Sequence, residues 1–276
     1  MKVSQKVIVV TGAGGGIGGE LVLQLLARGA RVAAVDLKQE SLDGLMQRAG
    51  SHAGALSLHA LNITTSDAVS ALPDAVIAAH GRVDGLINCA GIIQPFVRVN
   101  DLDFTAIERV MNVNFYGTLH MTKAFLPHLL TRPEAHLANV SSMGGFLPVP
   151  GQTIYGASKA AVKLLTEGLY AELLDTPVHV TVIFPGATKT NITQNSDVTG
   201  AGTPSAEDAK TDASAKKLQA SMLAPEVAAK IMLDGIEANK PRIFTGKDAS
   251  AMDALYRLSP IRATKLIASK MRSLLK

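Results

Sequence analysis

The chain has 276 residues, 47% hydrophobic and 18% charged, which suits one large α/β domain, and no apolar run reaches the roughly 18 residues that a membrane span needs. Its single cysteine, Cys89, excludes an internal disulfide framework and, with no signal-peptide core at the start, predicts a cytoplasmic protein. Residues 247–276 carry seven Lys or Arg against two Asp within a total charge of +4, so the nearly neutral body offers no basic face for nucleic acid.

Short apolar runs alternate with helix-length segments along the chain. The sequence predicts strands at 6–10, 31–35, 55–61, 83–88, 136–141, 178–184 and 242–245. Helical patterns fill the intervals, at 16–29, 40–50, 65–80, 104–130, 154–175 and 224–239. This alternation indicates a parallel sheet with right-handed crossovers. The predicted fold is a single doubly wound α/β Rossmann fold, with a seven-stranded parallel sheet and helices on both faces.

A glycine-rich loop follows the first predicted strand and opens a helix, with the spacing Gly12-x-x-x-Gly16-x-Gly18. Such a loop lets the backbone approach a phosphate closely, and the helix N-terminus supplies N–H donors and a positive dipole. Asp36 ends the second strand, where a carboxylate can accept both hydroxyls of an adenosine ribose and would repel a 2′-phosphate. The alternative for Asp36 is a loop or helix-cap aspartate.

Tyr155 and Lys159 lie one turn apart if residues 154–175 form a helix. A tyrosine has a pKa of roughly 10, and bringing it near pH 7 takes about 4 kcal/mol, similar to one unit charge at ~4 Å in a medium of effective dielectric ~20. We therefore expect Lys159 to lower the pKa of Tyr155 and to make it a proton donor and acceptor near neutral pH.

A polar segment rich in Ser, Thr and Asp begins at residue 191 and extends to about residue 222. It follows the sixth strand and so leaves from the carboxyl edge of the sheet, where ligands bind in such folds. We interpret residues 191–222 as a substrate lid, with a tolerated insertion as the alternative.

Ordered motifs give the chain a resemblance to the short-chain dehydrogenase/reductase family, in its single-domain NAD(P)-dependent branch, over nearly the whole length. The motifs are Thr11–Gly18, Asn88–Gly91, Asn114, Ser142, Tyr155-x-x-x-Lys159 and Pro185–Gly186.

The resemblance implies four catalytic residues. Tyr155 would be the general acid/base, giving or taking the hydroxyl proton as hydride moves to or from the nicotinamide. Lys159 would lower the pKa of that tyrosine and hold the nicotinamide ribose. Ser142 would hydrogen-bond the substrate oxygen, and Asn114 would support a proton-relay water beside the lysine.

Two of these assignments have neighbours that compete with them. Ser142 could equally be a strand-end turn residue, and Ser141 beside it is a competitor. Asn114 could be a helix-kink asparagine, with Asn112 as its competitor. The spacing to the tyrosine favours Ser142, and the position just before Phe115-Tyr116-Gly117 favours Asn114.

The same resemblance implies a cofactor site. Its expected residues are Gly12, Gly14, Gly15, Gly16, Ile17, Gly18, Asp36, Leu37, Asn62, Ile63, Asn88, Ala90, Gly91, Tyr155, Lys159, Pro185, Gly186, Thr188 and Thr190. Asn62 departs from the family pattern, which more often has Asp beside the adenine. The loop has no basic residue at position 14 or 15, and Leu37 replaces the Arg or Lys common in NADP-using members, so NAD is the expected cofactor.

The implied function is NAD-dependent interconversion of an alcohol and its ketone. Apolar residues expected near the pocket mouth, Phe96 and 146–149, favour an apolar secondary alcohol as the small-molecule substrate. The alternatives are an NADP-dependent carbonyl reductase and a catalytically idle dinucleotide-binding regulator. The histidines show no metal-ligand spacing, so no metal is expected.

The domain prediction is a catalytic domain at 1–246 followed by a basic amphipathic extension at 247–276. After Pro260, one helical face is mostly apolar and the other mostly basic. The first holds Ile261, Thr264, Ile267, Ala268, Met271, Leu274 and Leu275, and the second holds Arg262, Lys265, Arg272 and Lys276. The extension could cap the pocket, pack on a neighbouring subunit or lie on an anionic membrane. A homotetramer or homodimer is implied by the resemblance, built on the helices 104–130 and 154–175 through Leu164, Leu165, Leu169 and Leu173.

Overall fold

Seven strands form one parallel sheet in a computed structural model that describes residues 1–190, 192–196 and 222–271. The strands are β1 (Val7–Thr11), β2 (Arg31–Asp36), β3 (Leu56–Ala60), β4 (Gly85–Asn88), β5 (Ala135–Val140), β6 (Val178–Pro185) and β7 (Arg242–Thr245). Their order across the sheet is β3-β2-β1-β4-β5-β6-β7, and every neighbouring pair is parallel. The predicted seven-stranded Rossmann sheet is confirmed.

Helices connect successive strands and cover the sheet. They are α1 (Gly16–Ala27), α2 (Gln39–Ala49), α3 (Ser66–Ser70), α4 (Leu72–His80), α5 (Phe104–Met111), α6 (Thr118–Leu130), α7 (Thr153–Glu172), α8 (Ile192–Asn195), α9 (Pro225–Glu237), α10 (Lys247–Leu258) and α11 (Pro260–Lys270). Short 3₁₀ turns occur at Gly50–Ala55, Val99–Asp101 and Met143–Gly145.

Two predicted helices are interrupted. The helix expected at 65–80 is two helices, α3 and α4, and Pro73 occupies the first turn of α4, where the missing N–H costs no helical hydrogen bond. The helix expected at 104–130 contains a π-helical segment, Asn112–Gly117, between α5 and α6. Such a widened turn re-aims side chains and is often found at functional sites.

Both faces of the sheet are buried, which explains the continuous apolar runs of its strands. Alternate residues of β1 point to opposite sides, so that Ile8 and Val10 join one hydrophobic cluster while Val7 and Val9 join the other. The first cluster contains α1, α2 and α9, and the second contains α4 and α6. The sheet therefore holds its carboxyl edge rigidly between two layers of helices.

The order of the strands reverses direction between β1 and β4, since β2 and β3 lie on one side and β5 to β7 on the other. Crossovers leave in opposite directions from this point and open a crevice at the carboxyl edge, where α/β proteins bind ligands. The glycine-rich loop after β1 and the segment 88–91 after β4 both begin there.

The carboxyl-terminal helices pack on the body through a small hydrophobic cluster. Ala263 and Ile267 of α11 are buried with Leu147, and Phe146 packs against the cluster. Ile261, expected on the apolar face, is instead 67% exposed, because the buried stripe runs through positions 263 and 267. Residues 272–276, which include Leu274 and Leu275, lie outside the described residues.

Two of the four leucines predicted for subunit contact are used inside the monomer. Leu169 of α7 and Leu173, which directly follows that helix, belong to the core cluster with α6, so they are not available to a second chain. Leu164 is 69% exposed and Leu165 is partly buried. Since α7 must cover the sheet, its apolar residues at i, i+4 spacing face inward.

Candidate active site

The glycine-rich loop is shaped by close contact with the segment after β4. Gly12 has a φ of +67°, and a Cβ atom on it would lie 2.7 Å from Ala90 Cα. Thr11 ends β1 and its hydroxyl oxygen accepts hydrogen bonds from the backbone N–H groups of Cys89 and Ala90, both at 3.1 Å. The loop and the 88–91 segment are thereby joined into one wall, with the N-terminus of α1 beside it.

Asp36 is fixed in place by two backbone donors. Its Oδ2 accepts a hydrogen bond from Gly14 N at 2.9 Å, and its Oδ1 accepts one from Lys38 N at 3.3 Å. A Cβ atom at Gly14 would lie 2.5 Å from Ser41 Cβ and 3.1 Å from Asp36 Cγ. The carboxylate therefore faces the glycine-rich loop, with no room for a larger residue between them.

The π-helical segment directs Asn114 into the protein, where it is fully buried. Its Oδ1 accepts from Ile92 N at 2.9 Å, and its Nδ2 donates to Ile92 O at 3.0 Å and to Ser158 Oγ at 2.9 Å. Asn112, the competitor, is exposed. Asn114 thus links the segment after β4 to α7.

Ser142 and Tyr155 meet at the carboxyl end of β5. A Cβ atom on Gly144 would lie 3.4 Å from Tyr155 Cε1 and 3.5 Å from Ser142 Oγ, so the two side chains are neighbours, and Ser142 Oγ accepts from Gly144 N at 3.0 Å. The competitor, Ser141, turns its hydroxyl away and donates to Lys159 O at 2.7 Å. The serine that faces the tyrosine is therefore Ser142.

The pKa of Tyr155 differs from the sequence-based expectation. Burial raises it above its ordinary value, and the hydrogen bond with Ser142 opposes that rise in part. Lys159 Nζ donates to Val140 O at 3.0 Å, and the effect of burial on the pKa of Tyr155 is the larger one. The lowered pKa that the sequence predicts for Tyr155 is therefore not seen in this structure.

Lys159 is 3% exposed, and burial lowers its pKa to about 8. Its Nζ makes one hydrogen bond with the described residues, so two N–H donors remain for a bound molecule. Gly91 leaves the space beside this ammonium open, since a Cβ atom there would lie 3.0 Å from Lys159 Nζ. A buried ammonium facing a cavity is suited to holding polar oxygen atoms.

A cavity of about 790 Å³ runs along the crevice. Most of the residues predicted for catalysis and cofactor binding line it, namely Gly12, Gly14, Gly15, Gly16, Ile17, Gly18, Asp36, Leu37, Asn62, Ile63, Ala90, Gly91, Ser142, Tyr155, Lys159, Pro185, Gly186, Thr188 and Thr190. Asn88 and Asn114 do not line it. Asn88 donates instead to Asn139 Oδ1 at 2.8 Å, between strands, so its side chain contributes to the structure of the sheet.

The cavity also has walls that the sequence did not indicate. One face of α5 lines it, with Thr105, Glu108 and Arg109 at the spacing of successive helical turns. That spacing is visible in the sequence, which nevertheless predicts this segment only as part of an interface helix. Lys38 lies on the wall next to Asp36, and Met222 lies on the wall near the end of the predicted lid.

The apolar wall differs from the predicted one. Ile92, Ile93, Ile192 and Met222 line the cavity. The residues expected at the mouth are elsewhere: Leu147 is fully buried under α11, Phe146, Pro148 and Val149 line a separate cavity, and Phe96 is partly buried. The predicted lid at 191–222 lies outside the described residues, except for 192–196 and Met222.

The comparisons with known proteins agree with this geometry. The family model described as short chain dehydrogenase matches residues 6–199. The chain belongs to the short chain dehydrogenase family. A protein named as the oxidoreductase SadH of Mycobacterium tuberculosis is 36% identical over 266 residues, covering 96% of this chain and 94% of the relative. The 3-oxoacyl-[acyl-carrier-protein] reductase FabG of Thermotoga maritima is 35% identical over 196 residues, covering 70% of this chain and 78% of the relative.

Solved structures show the same fold. A short chain dehydrogenase/reductase from Burkholderia phymatum, in complex with NAD, has a TM-score of 0.81 at 24% identity and covers 95% of this chain and 96% of its own. A short chain dehydrogenase from Burkholderia cenocepacia, in complex with NADP, has a TM-score of 0.76 at 25% identity, and the match covers 98% of this chain and 99% of the solved chain. As a member of this family, the chain is an NAD(P)-binding oxidoreductase.

The residues of this short chain dehydrogenase fit a dinucleotide. The glycine-rich loop and the α1 N-terminus leave backbone N–H groups open to a pyrophosphate, Asp36 is positioned to accept ribose hydroxyls, and Lys159 retains two donors. Among the described residues, no cluster of His, Cys, Asp and Glu could hold a metal ion. No described helix has the length and hydropathy to cross a membrane. Burial raises the pKa of the Cys89 thiol to about 11, which makes it a poor nucleophile.

Proposed function

We propose that the protein is an NAD-dependent dehydrogenase that interconverts an apolar secondary alcohol and its ketone. The observation that carries the proposal is that Ser142, Tyr155 and Lys159 line the same cavity. A hydroxyl donor, a phenol and a buried ammonium in one crevice are suited to proton exchange at a carbinol oxygen.

The proton is exchanged at the hydroxyl oxygen of Tyr155. In alcohol oxidation the phenolate form takes the substrate hydroxyl proton, and in ketone reduction the phenol returns it. Ser142 donates to the substrate oxygen and orients it toward the tyrosine. NAD, when bound, supplies the redox chemistry by accepting the hydride in one direction and returning it in the other. Asn114 keeps the wall in place by holding both backbone groups of Ile92.

The role proposed for Lys159 is to hold the nicotinamide ribose and to lower the pKa of Tyr155 in the loaded enzyme. Its ammonium is buried and its pKa lies at about 8, so it is largely protonated at neutral pH. The ammonium can exchange the Val140 carbonyl for a ligand oxygen at little net cost, since either acceptor gives a charge-assisted hydrogen bond of about 1.5–3 kcal/mol.

Asp36 supports NAD as the preferred cofactor. Its carboxylate is held at the cavity wall by Gly14 N, and a 2′-phosphate placed there would meet a negative charge. One observation favours the alternative of an NADP-dependent reductase: Lys38 lines the same cavity. The two cofactors are therefore compared directly in the test.

The apolar wall formed by Ile92, Ile93, Ile192 and Met222 supports an apolar substrate. The test is a panel of linear, cyclic and aromatic secondary alcohols and the matching ketones, each with NAD and NADP. Reduced nicotinamide is followed by its near-ultraviolet absorbance. Turnover of apolar secondary alcohols with NAD supports the proposal, whereas binding of NAD without turnover of any alcohol or ketone would favour the idle regulator.

We further propose a cytoplasmic homodimer or homotetramer that uses α5 and the outer face of α7. Phe104 is 80% exposed and Leu164 is 69% exposed, which leaves large apolar side chains uncovered on these helices. Light scattering tests the assembly, and a mass near the 28.9 kDa of one chain would contradict it.

A further inference from the structure

The helix that carries Tyr155 has no cap of its own. α7 begins at Thr153, and the preceding residue, Gln152, makes no side-chain hydrogen bond to the first turn. The first N–H groups of a helix have no partner within it, and buried ones cost stability if nothing else accepts them. A side chain from another part of the chain accepts them here.

Gln94 supplies the missing acceptor from the loop after β4. Its Oε1 accepts hydrogen bonds from Ile154 N at 2.8 Å and from Tyr155 N at 3.0 Å, the second and third residues of α7. These are the two groups that a capping side chain normally satisfies. Gln94 thus caps α7 from about sixty positions away in the sequence, and one of the two capped groups belongs to Tyr155 itself.

The orientation of this amide is determined by its surroundings. Gln94 Nε2 donates to Gly151 O at 3.0 Å, so the amide nitrogen faces a carbonyl and the oxygen faces two donors. Gln152 Nε2 in turn donates to Gln94 O at 2.8 Å. Gln94 is 1% exposed and Gln152 is 4% exposed, so water does not compete for these bonds. Together they fasten the loop to the start of α7.

The same loop contacts the other parts of the site. Ile92 is held by Asn114 through both of its backbone groups, and Ile93 N donates to Ser196 Oγ at 3.0 Å. Ile92 and Ile93 line the cavity directly. Three successive residues therefore connect the cavity wall, the π-helical segment and the helix of the proposed acid/base.

We propose that Gln94 is a positioning residue for catalysis, whose side-chain oxygen sets the backbone of Tyr155 and so aims the phenol at the substrate oxygen. This rests on the proposed function of Tyr155 as acid/base. Displacement of a reacting group by about 1 Å can lower a rate by about 10²-fold. The rate of the chemical step therefore depends on a residue that touches neither substrate nor cofactor.

The test compares Gln94→Met with Gln152→Met. Both remove a buried amide from the same cluster, but only the first removes the acceptor of Tyr155 N. We expect Gln94→Met to lower kcat at least ~10-fold, as expected for a misplaced group, with an NADH dissociation constant within about twofold of wild type. Gln152→Met should keep kcat within about threefold. Equal losses in the two variants, or wild-type kcat in Gln94→Met, would overturn the proposal.

Two further measurements keep the result interpretable. Hydrogen exchange of the amides of Ile154 and Tyr155 reports the cap without any substrate, and it should speed up at least ~10-fold in Gln94→Met only, because the acceptor of both amides is lost. If amide exchange speeds up in Gln94→Met while wild type and Tyr155→Phe have the same turnover, Gln94 does cap α7 but Tyr155 is not the acid/base. That result would separate failure of the proposed function from failure of the cap. If Gln94→Met does not fold, Gln94→Asn withdraws the amide by one methylene, and wild-type kcat there would overturn the proposal.

Discussion

Replacing Asp36 by Asn tests the origin of the cofactor preference. The substitution removes the charge but keeps an oxygen that can accept from Gly14 N, which Asp36 Oδ2 does at 2.9 Å. Because the carboxylate is held by two backbone donors, it cannot move away from a 2′-phosphate. A charge of −1 facing −2 at about 5 Å, in a partly exposed site of effective dielectric about 40, is opposed by about 3 kcal/mol.

That energy corresponds to a discrimination of about 10²-fold between the two cofactors. We therefore expect wild type to favour NADH over NADPH by about 10²-fold in affinity, and Asp36→Asn to lower the ratio to below about tenfold because the repulsion is gone. Fluorescence titration with NADH and NADPH measures both constants without a substrate. Glu40→Gln is the control, since it removes a nearby exposed carboxylate that does not line the cavity.

The electrostatic reasoning would be refuted if wild type bound NADH and NADPH equally, or if Asp36→Asn kept the wild-type ratio. Equal binding would indicate that Lys38, which lines the same cavity, pairs with the phosphate and cancels the repulsion. Lys38→Met in that case should restore the preference for NADH.

Three other outcomes are expected. Lys159→Met should abolish turnover yet raise the free energy of unfolding at pH 7 by about 1 kcal/mol. Burial that lowers the pKa of Lys159 from 10.5 to about 8 costs about 3 kcal/mol, and losing the charge-assisted hydrogen bond to Val140 O offsets about 2 kcal/mol of the gain. Between about pH 8 and pH 10.5 the unfolded wild-type chain binds more protons than the folded one, so the free energy of unfolding of wild type rises with pH in this range. The stability advantage of Lys159→Met therefore disappears above about pH 10. Denaturant titrations at pH 7 and above pH 10 measure the two differences in stability. Gly14→Ala should weaken NADH binding at least ~10-fold by pushing on Ser41 and Asp36, whereas Gly44→Ala, with nothing within 4 Å of its Cβ, should not. Truncation after Ser259 should lower the melting temperature by exposing Leu147, and neither it nor the full chain should co-sediment with anionic vesicles, since Ala263 and Ile267 of α11 are already buried against the body.

Most of the sheet and much of the cavity could be predicted because they depend on local signals. Strands that are buried on both faces give continuous apolar runs in the sequence. Glycines such as Gly12 indicate a close approach of two backbone segments, where a side chain would not fit. The π-helical segment could not be predicted, because its residues keep the helical periodicity of α5 and α6. The break between α3 and α4 has a sequence signal in Pro73, which the periodicity of residues 65–80 obscures. Hydrophobic periodicity predicts where a helix lies but does not predict its breaks or its π-helical turns.

Features that depend on tertiary packing were missed or misjudged. Burial raises the pKa of Tyr155, and Lys159 Nζ donates to Val140 O. The four-residue spacing between Tyr155 and Lys159 predicts neither of these facts. Gln94 has no motif, since its partners lie at the start of a helix far along the chain. The buried face of α11 also depends on the loop at 143–147 that it covers.

The most direct test of the account is turnover by Tyr155→Phe, with NADH affinity measured on the same preparation. Phenylalanine keeps the ring in the cavity wall and removes only the phenolic hydroxyl. The account predicts that NADH binds within about threefold of wild type while kcat falls at least ~10²-fold, the usual contribution of a general acid/base. A variant that retained more than about a tenth of the wild-type kcat, far above what loss of a general acid/base leaves, would contradict the assignment of Tyr155 and with it the proposed mechanism.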